Sequence, residues 1–273
     1  MGIQLAMGWR HLLFENWRVD PDVIAERLPE TLDVDTYDGS GWLSVVPYTN
    51  VAVRPQGLPA TVGQPLPELN LRTYVTCEGE PGIYFFSLDA QGVAGVLGAR
   101  VTQHLPYYYA RISLDGDGER IHFRSRRQHP GARPAHYTAT YEPSGEAFDS
   151  SDDPLAGFLT ERYRFYTEAS DGTLRYTDVD HEPWTLYPAE AETETNTLFR
   201  AAGLTHPHSE PARHSSPRVH VTSGTTTRWT ARTPCATRPP PRRQRPNTPC
   251  AHTPLPLCCC PQAADTLRRP PPQ

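Results

Sequence analysis

The stretch Glu68-Leu69-Asn70-Leu71-Arg72-Thr73-Tyr74 places a carboxyl, an amide, a guanidinium and a phenol at every second position. In an extended strand alternate side chains share a face about 6.6 Å apart, so Glu68, Asn70, Arg72 and Tyr74 form one polar row. Leu69, Leu71, Thr73 and Val75 form the opposite, core-seeking row. The polar row could orient a small ligand, with Arg72 gripping a carboxylate through two parallel hydrogen bonds. The alternative is a solvated sheet face on which Glu68 and Arg72 make a weak surface pair.

A second cluster comprises Arg100, His104, Leu105-Pro106-Tyr107-Tyr108-Tyr109 and Arg111. Its phenols could line a pocket mouth, or be packed core with satisfied tips. A third, Glu161-Arg162-Tyr163-Arg164 with His181-Glu182-Pro183-Trp184, reads more simply as an arginine–carboxylate pair and a tryptophan anchoring a loop. No glycine-rich phosphate loop, G-x-S-x-G elbow or H-E-x-x-H occurs, and the eleven histidines are scattered, so neither a metal nor a cofactor is expected.

These residues need strands to hold them. Trp9 to Val19 reads as a strand, followed by Asp20-Pro21 opening a short helix that Pro29 ends. Gly41 to Tyr48 is a second strand, which Pro47 makes an edge or bulged one. Leu69–Thr76 and Ile83–Leu88 form an antiparallel hairpin around Glu78-Gly79-Glu80-Pro81-Gly82. Asp89 caps a helix with the stripe Val93, Val96, Leu97 and Val101. Tyr107–Leu114 and Arg120–Ser125 pair around Asp115-Gly116-Asp117-Gly118, Pro134–Tyr141 adds a strand, and Asp153-Pro154 opens a last helix. The order is that of a mostly antiparallel α+β domain.

Composition divides the chain. Up to Arg200 it has 29 acidic residues and 16 arginines, and after it 2 acidic residues and 10 arginines. The acidic body disfavours nucleic acid and anionic membrane as partners, because both require a positive face. No secretory signal or membrane-length apolar run is present, and Cys77 is the only cysteine of the body, so a cytoplasmic location is expected. From about Val221 the chain turns rich in Thr, Pro, Arg and Cys without apolar periodicity. We therefore expect a single domain over 1–216 and, over 217–273, a tail that is disordered or the product of a frameshift, which sequencing the codons around Val221 would test.

Across Trp9 to about Ser216 the chain resembles the YqjF-like (DUF2071) family of uncharacterised proteins, which is similar to acetoacetate decarboxylase at the superfamily level. The resemblance is carried by ERLPETLDVDTYDGSGWLSVVPY, ELNLRTYV, GIYFFSLDA, AR-x4-LPYYYA, FLTERYRFY, HEPW and Gly203-Leu204. It implies a bent antiparallel sheet closing into a barrel-like cone with short outer helices and a central pocket, toward which Glu68 to Tyr74 would point. In the decarboxylases a proline precedes adjacent lysines, one of which forms an imine with the keto acid. Here Leu105-Pro106-Tyr107-Tyr108 stands in that place, and the sequence contains no lysine at all. A phenol has no amine, so Schiff-base decarboxylation is excluded.

Three readings follow. The first is a pocket protein binding a small carboxylate or carbonyl compound through Glu68, Asn70, Arg72, Tyr74, Arg100 and Tyr107. The second is a cofactor-free lyase, hydratase or isomerase acting on a keto acid or enol, with Glu68 and Tyr107 or Tyr108 as acid and base. The third is an interaction module whose aromatic strands form a homo-oligomer interface around a vestigial site.

Overall fold

Two residues with left-handed backbone, Glu78 (φ 50°) and Gly79 (φ 81°), reverse the chain tightly between the strand that carries the polar row and the strand that follows it. The computed structural model describes residues 4–62, 64–92 and 104–230. In chain order its elements are β1 (Leu5–Val19), α1 (Pro21–Ala25), β2 (Asp33–Val34), β3 (Gly41–Pro55), β4 (Gln64–Cys77), β5 (Glu80–Ala90), β6 (Tyr107–Asp117) and β7 (Arg120–Arg127). Then come β8 (His136–Pro143), β9 (Phe148–Asp149), α2 (Pro154–Thr160), β10 (Arg164–Glu168), β11 (Leu174–His181), β12 (Thr185–Asn196), α3 (Leu198–Ala201), β13 (Ala212–Ser223) and β14 (Thr227–Arg228).

The strands belong to one sheet that bends back on itself. Following the pairings β1–β3–β4–β5–β10–β11–β13 and back to β1 closes a ring. A second branch, β6–β7–β8–β12, leaves β5 and rejoins at β13. Pairing is antiparallel except at β5–β6 and β5–β10. The main apolar cluster, with Leu13, Trp17, Leu43, Leu69, Leu71, Phe123, Tyr137 and Phe199, fills the space between ring and branch.

The expected helix starts are present. Asp20 accepts from the Asp22 amide, and Asp153 accepts from the amides of Leu155 and Ala156, each followed by proline in the first turn. Four expectations are corrected. Pro47 does not make β3 an edge, since β3 pairs with β1 and β4, but irregularity is present there: the β1–β3 register shifts between Thr49 and Val45, with the extra residue on β1 and His11 at φ 55°, and β3 bulges in turn at Ala52 (φ 55°). The β6–β7 turn is tighter than expected, since Asp117 still pairs with Arg120. Asp89 is no helix cap but the end of β5, buried, its Oδ1 2.7 Å from Nε of Arg127. The boundary at Ser216 falls inside β13, and the compact unit continues to Thr230, with Trp229 packed on Tyr166 and Tyr176. The stripe from Val93 to Val101, and Arg100 with it, lies outside the described residues.

Candidate functional site

A cavity of about 340 Å³ occupies the ring, lined by side chains from all seven of its strands and from Tyr107 of β6. Most of the lining is apolar, with Trp9, Leu12, Phe14, Val46, Leu88, Phe165, Trp184 and Val221. Three bulges make this lining possible, one of them at Ala52, which switches the inward parity of β3 from Asn50 to Val53. The one at His11 switches the inward parity of β1 from Trp9 to Leu12 and Phe14, and a register shift in β5 beside Phe86 switches it from Ile83 and Phe85 to Leu88 and Ala90. Without them each strand would turn half of those apolar groups outward.

β4 keeps strict alternation and carries Glu68, Asn70 and Arg72 into the cavity wall, all three buried. Glu68 sits in a nest of donors. Tyr48 donates its hydroxyl to Oε1 at 2.5 Å, Asn50 donates Nδ2 to Oε2 at 2.9 Å, and the Tyr107 hydroxyl lies 3.2 Å from both oxygens. Burial pushes the Glu68 carboxyl up from its ordinary 4.5 to about 7, although the three hydrogen bonds pull it down. Burial, then the Glu68 charge, raises the Tyr48 and Tyr107 phenols well above their usual range. Near neutral pH this nest holds a carboxyl group close to its own midpoint, suited to giving or taking a proton.

Arg72 stands about 13 Å farther along the same strand, four residues at the usual rise. Its Nη2 donates to the Leu159 carbonyl at 3.2 Å, at the open C-terminal end of α2, and its guanidinium lies 5.5 Å from the Phe14 ring centre and 5.7 Å from that of Tyr74. Among the described residues no carboxylate pairs with it. Arg162, also on the cavity wall, is in contrast neutralised by Asp35 at 2.6 Å and held by the Phe158 carbonyl.

The remaining expected site residues separate. Tyr74 is on the row but not on the cavity: α2 covers that end, and the Tyr74 hydroxyl donates to the Leu159 carbonyl at 2.9 Å and to Asn16 Oδ1 at 3.1 Å. Tyr108 alternates with Tyr107 and therefore faces away from the cavity, under the Arg127 guanidinium at 4.1 Å and edge-on to His129. Arg100 lies outside the described residues. Sequence reasoning missed Tyr48 and Asn50: the expected strand stops at Tyr48, and continuing the alternation from Val46 beyond it would have found both. Among the described residues no cluster of His, Cys, Asp or Glu could hold a metal ion.

A bent sheet ring with short outer helices around a mostly apolar cavity defines the acetoacetate decarboxylase-like fold. The enduracididine biosynthesis enzyme MppR, solved in complex with pyruvate, superposes with a TM-score of 0.61 at 16% identity, over 84% of this chain and 91% of that one. An acetoacetate decarboxylase-like enzyme from Sphingomonas wittichii RW1 gives 0.59 at 14%, over 84% and 94%. The chain belongs to the DUF2071 family of uncharacterised conserved proteins, whose model matches residues 6–220. It is 41% identical over 222 residues to the uncharacterised protein YqjF of Bacillus subtilis (strain 168), covering 81% of this chain and 90% of that protein.

Proposed function

We propose that the ring cavity binds a small carboxylate with an apolar body, its carboxylate on Arg72 and its carbonyl or hydroxyl end toward Glu68, Tyr48 and Tyr107. The observation that carries this is Arg72: a buried guanidinium on the cavity wall whose hydrogen-bond partner among the described residues is a neutral carbonyl. A buried cation of this kind is costly until an anion joins it. The apolar remainder of the lining suits a hydrocarbon or aromatic body, and pyruvate, named with the structural neighbour MppR, is itself a carboxylate bearing a carbonyl.

A second reading is favoured by Glu68. A carboxyl near pKa 7 between two phenols is equipped for cofactor-free proton transfer on a keto acid or enol, by addition, elimination or isomerisation, with the phenols stabilising an enolate oxygen. Imine chemistry stays excluded by the absence of lysine. An open cavity argues against a side-chain-filled vestigial site.

Titration calorimetry against a panel of keto, hydroxy and simple carboxylic acids tests the binding reading. Arg72→Lys should weaken the best carboxylate by about 1.5–3 kcal/mol, since an ammonium cannot reproduce the two-pronged contact. Equal affinity in both proteins would refute it. Turnover of any panel member that disappears in Glu68→Gln would establish the second reading.

A further inference from the structure

The branch β6–β7–β8–β12 turns Ile112, Phe123, Tyr137 and Ala139 toward the core. On its other face Arg120, Arg124 and Arg126 of β7, and Glu190, Glu192 and Glu194 of β12, are exposed. Strand register fixes how these charges lie. Arg120, one residue beyond the Ile121–Tyr141 pair, reaches Glu142 of β8, and Glu142 is level with Glu190 of β12; His122 is level with Thr140, and Thr140 with Glu192. Arg124 is level with Thr138, whose partner on β12 is Thr195, beside Glu194 in the bulge. Three successive rows therefore each hold a basic residue on β7 and an acidic one on β12, with β8 between them.

Two strand spacings, about 10 Å, separate base from acid within one copy. Among the described residues none of the three glutamates pairs with a cation; the one ion pair on this face is Arg120–Glu142 at 3.4 Å. We propose that this face is a self-association surface, on which a second copy docks sheet to sheet about a two-fold axis running along β8. That rotation preserves each row while exchanging β7 with β12. Arg120 of one copy then meets Glu190 of the other, His122 meets Glu192, and Arg124 meets Glu194, each contact occurring twice, as an isologous interface requires.

The axis position is favourable. Thr138 and Thr140 are short enough for two sheets to approach to the usual spacing of about 10 Å, and Arg120 neutralises Glu142 where the two copies of β8 cross. The natural angle of about 30° between packed sheets displaces the outer rows by a few ångströms, which arginine side chains can span. A face of four short strands covers roughly 400 Å² per copy, about half of a standard interface, so the dimer is weak and depends on its charges. A nucleic acid fits poorly, since the acidic row would repel it.

Sedimentation equilibrium of the full chain tests this. Dimer is expected at about 0.01 M salt and monomer at about 1 M, as the screening length falls from about 30 Å to about 3 Å. Arg124→Glu and Glu194→Arg should each weaken self-association at least about tenfold. An equimolar mixture of the two variants should restore the dimer, because in the mixed pair one contact is reversed, the other is native, and both are attractive. A monomer at all salt concentrations, a dimer indifferent to both substitutions, or a mixture no tighter than its components would overturn the proposal.

Discussion

The hydroxyl of Tyr107 reaches over β5 to lie 3.2 Å from each carboxyl oxygen of Glu68, joining two strands that are not hydrogen-bonded to one another. The contact puts the first residue after Pro106 into the cavity and leaves Tyr108 on the outside. It also ties the protonation of Glu68 to the packing of the ring.

Glu68 should make the fold less stable as pH rises through the neutral range. Its carboxyl titrates near 4.5 when unfolded and near 7 when folded, so between those values the native state binds the extra proton. The stabilisation is complete below about pH 4.5 and is lost as pH rises to about 7, on the order of 3 kcal/mol in all. Asp89, raised by burial to about 6 despite Arg127, adds a change of the same sign. Urea midpoints at pH 5 and pH 7.5 should differ less in Glu68→Gln than in the parent; an unchanged difference would place the titration elsewhere.

Tyr107→Phe removes a donor that favours the ionised Glu68, so the carboxyl should hold its proton to still higher pH. Stability should fall by about 1 kcal/mol for the lost hydrogen bond. Tyr48→Phe, which deletes the 2.5 Å contact, should shift the titration further in the same direction. Carbon-13 NMR of the glutamate carboxyls across pH 4 to 9 reads these midpoints directly. A downward shift in either variant would contradict the nest as described.

The part of the site legible in the sequence is the part with unbroken period: β4 alternates without a bulge, so Glu68, Asn70 and Arg72 declare a shared face. Tyr74 obeys the same rule and still misses the cavity, because α2, a remote segment, covers its end of the row. Phe14, Phe85 and Leu88 could not have been placed by alternation, since the bulges that turn them inward answer to ring closure and not to local residue preference. Asp89 looked like a helix cap because a buried Asp–Arg pair depends on Arg127, far away in the chain. The loss of apolar period from about Val221 hid an edge-to-edge role: β13 is held by pairing with β1 and β11, with Val221 and Ser223 on the cavity wall.

That strand gives a truncation test. A chain ending at Thr230 keeps β13, β14 and the edge-to-face packing of Trp229 against Tyr166 and Tyr176, and should melt cooperatively within a few degrees of the full chain. Ending at Ser216 opens the ring between β1 and β11 and exposes the cavity, so cooperative melting should be lost. Differential scanning calorimetry of the two truncations separates these outcomes. A cooperative transition in the shorter chain would show that the ring closes without the second half of β13.

Gly82 controls closure on the other side. A Cβ there would lie 2.6 Å from Tyr166 Cε2 and 3.0 Å from the Arg164 carbonyl oxygen, where β10 runs parallel to β5 at Ile83 and Phe165. Tyr166 is fully buried and its hydroxyl is held by the Glu80 carbonyl at 2.9 Å, so it has little room to retreat. Gly82→Ala should therefore destabilise the fold by about 1–3 kcal/mol through overpacking, and should widen the β5–β10 seam beside the cavity. Combining it with Tyr166→Phe, which frees the ring from its hydrogen bond, should cost less than the sum of the two single changes because both act on one contact. Strict additivity in chemical denaturation would mean that the clash is relieved by backbone movement and that Gly82 is not what sets the approach of β10.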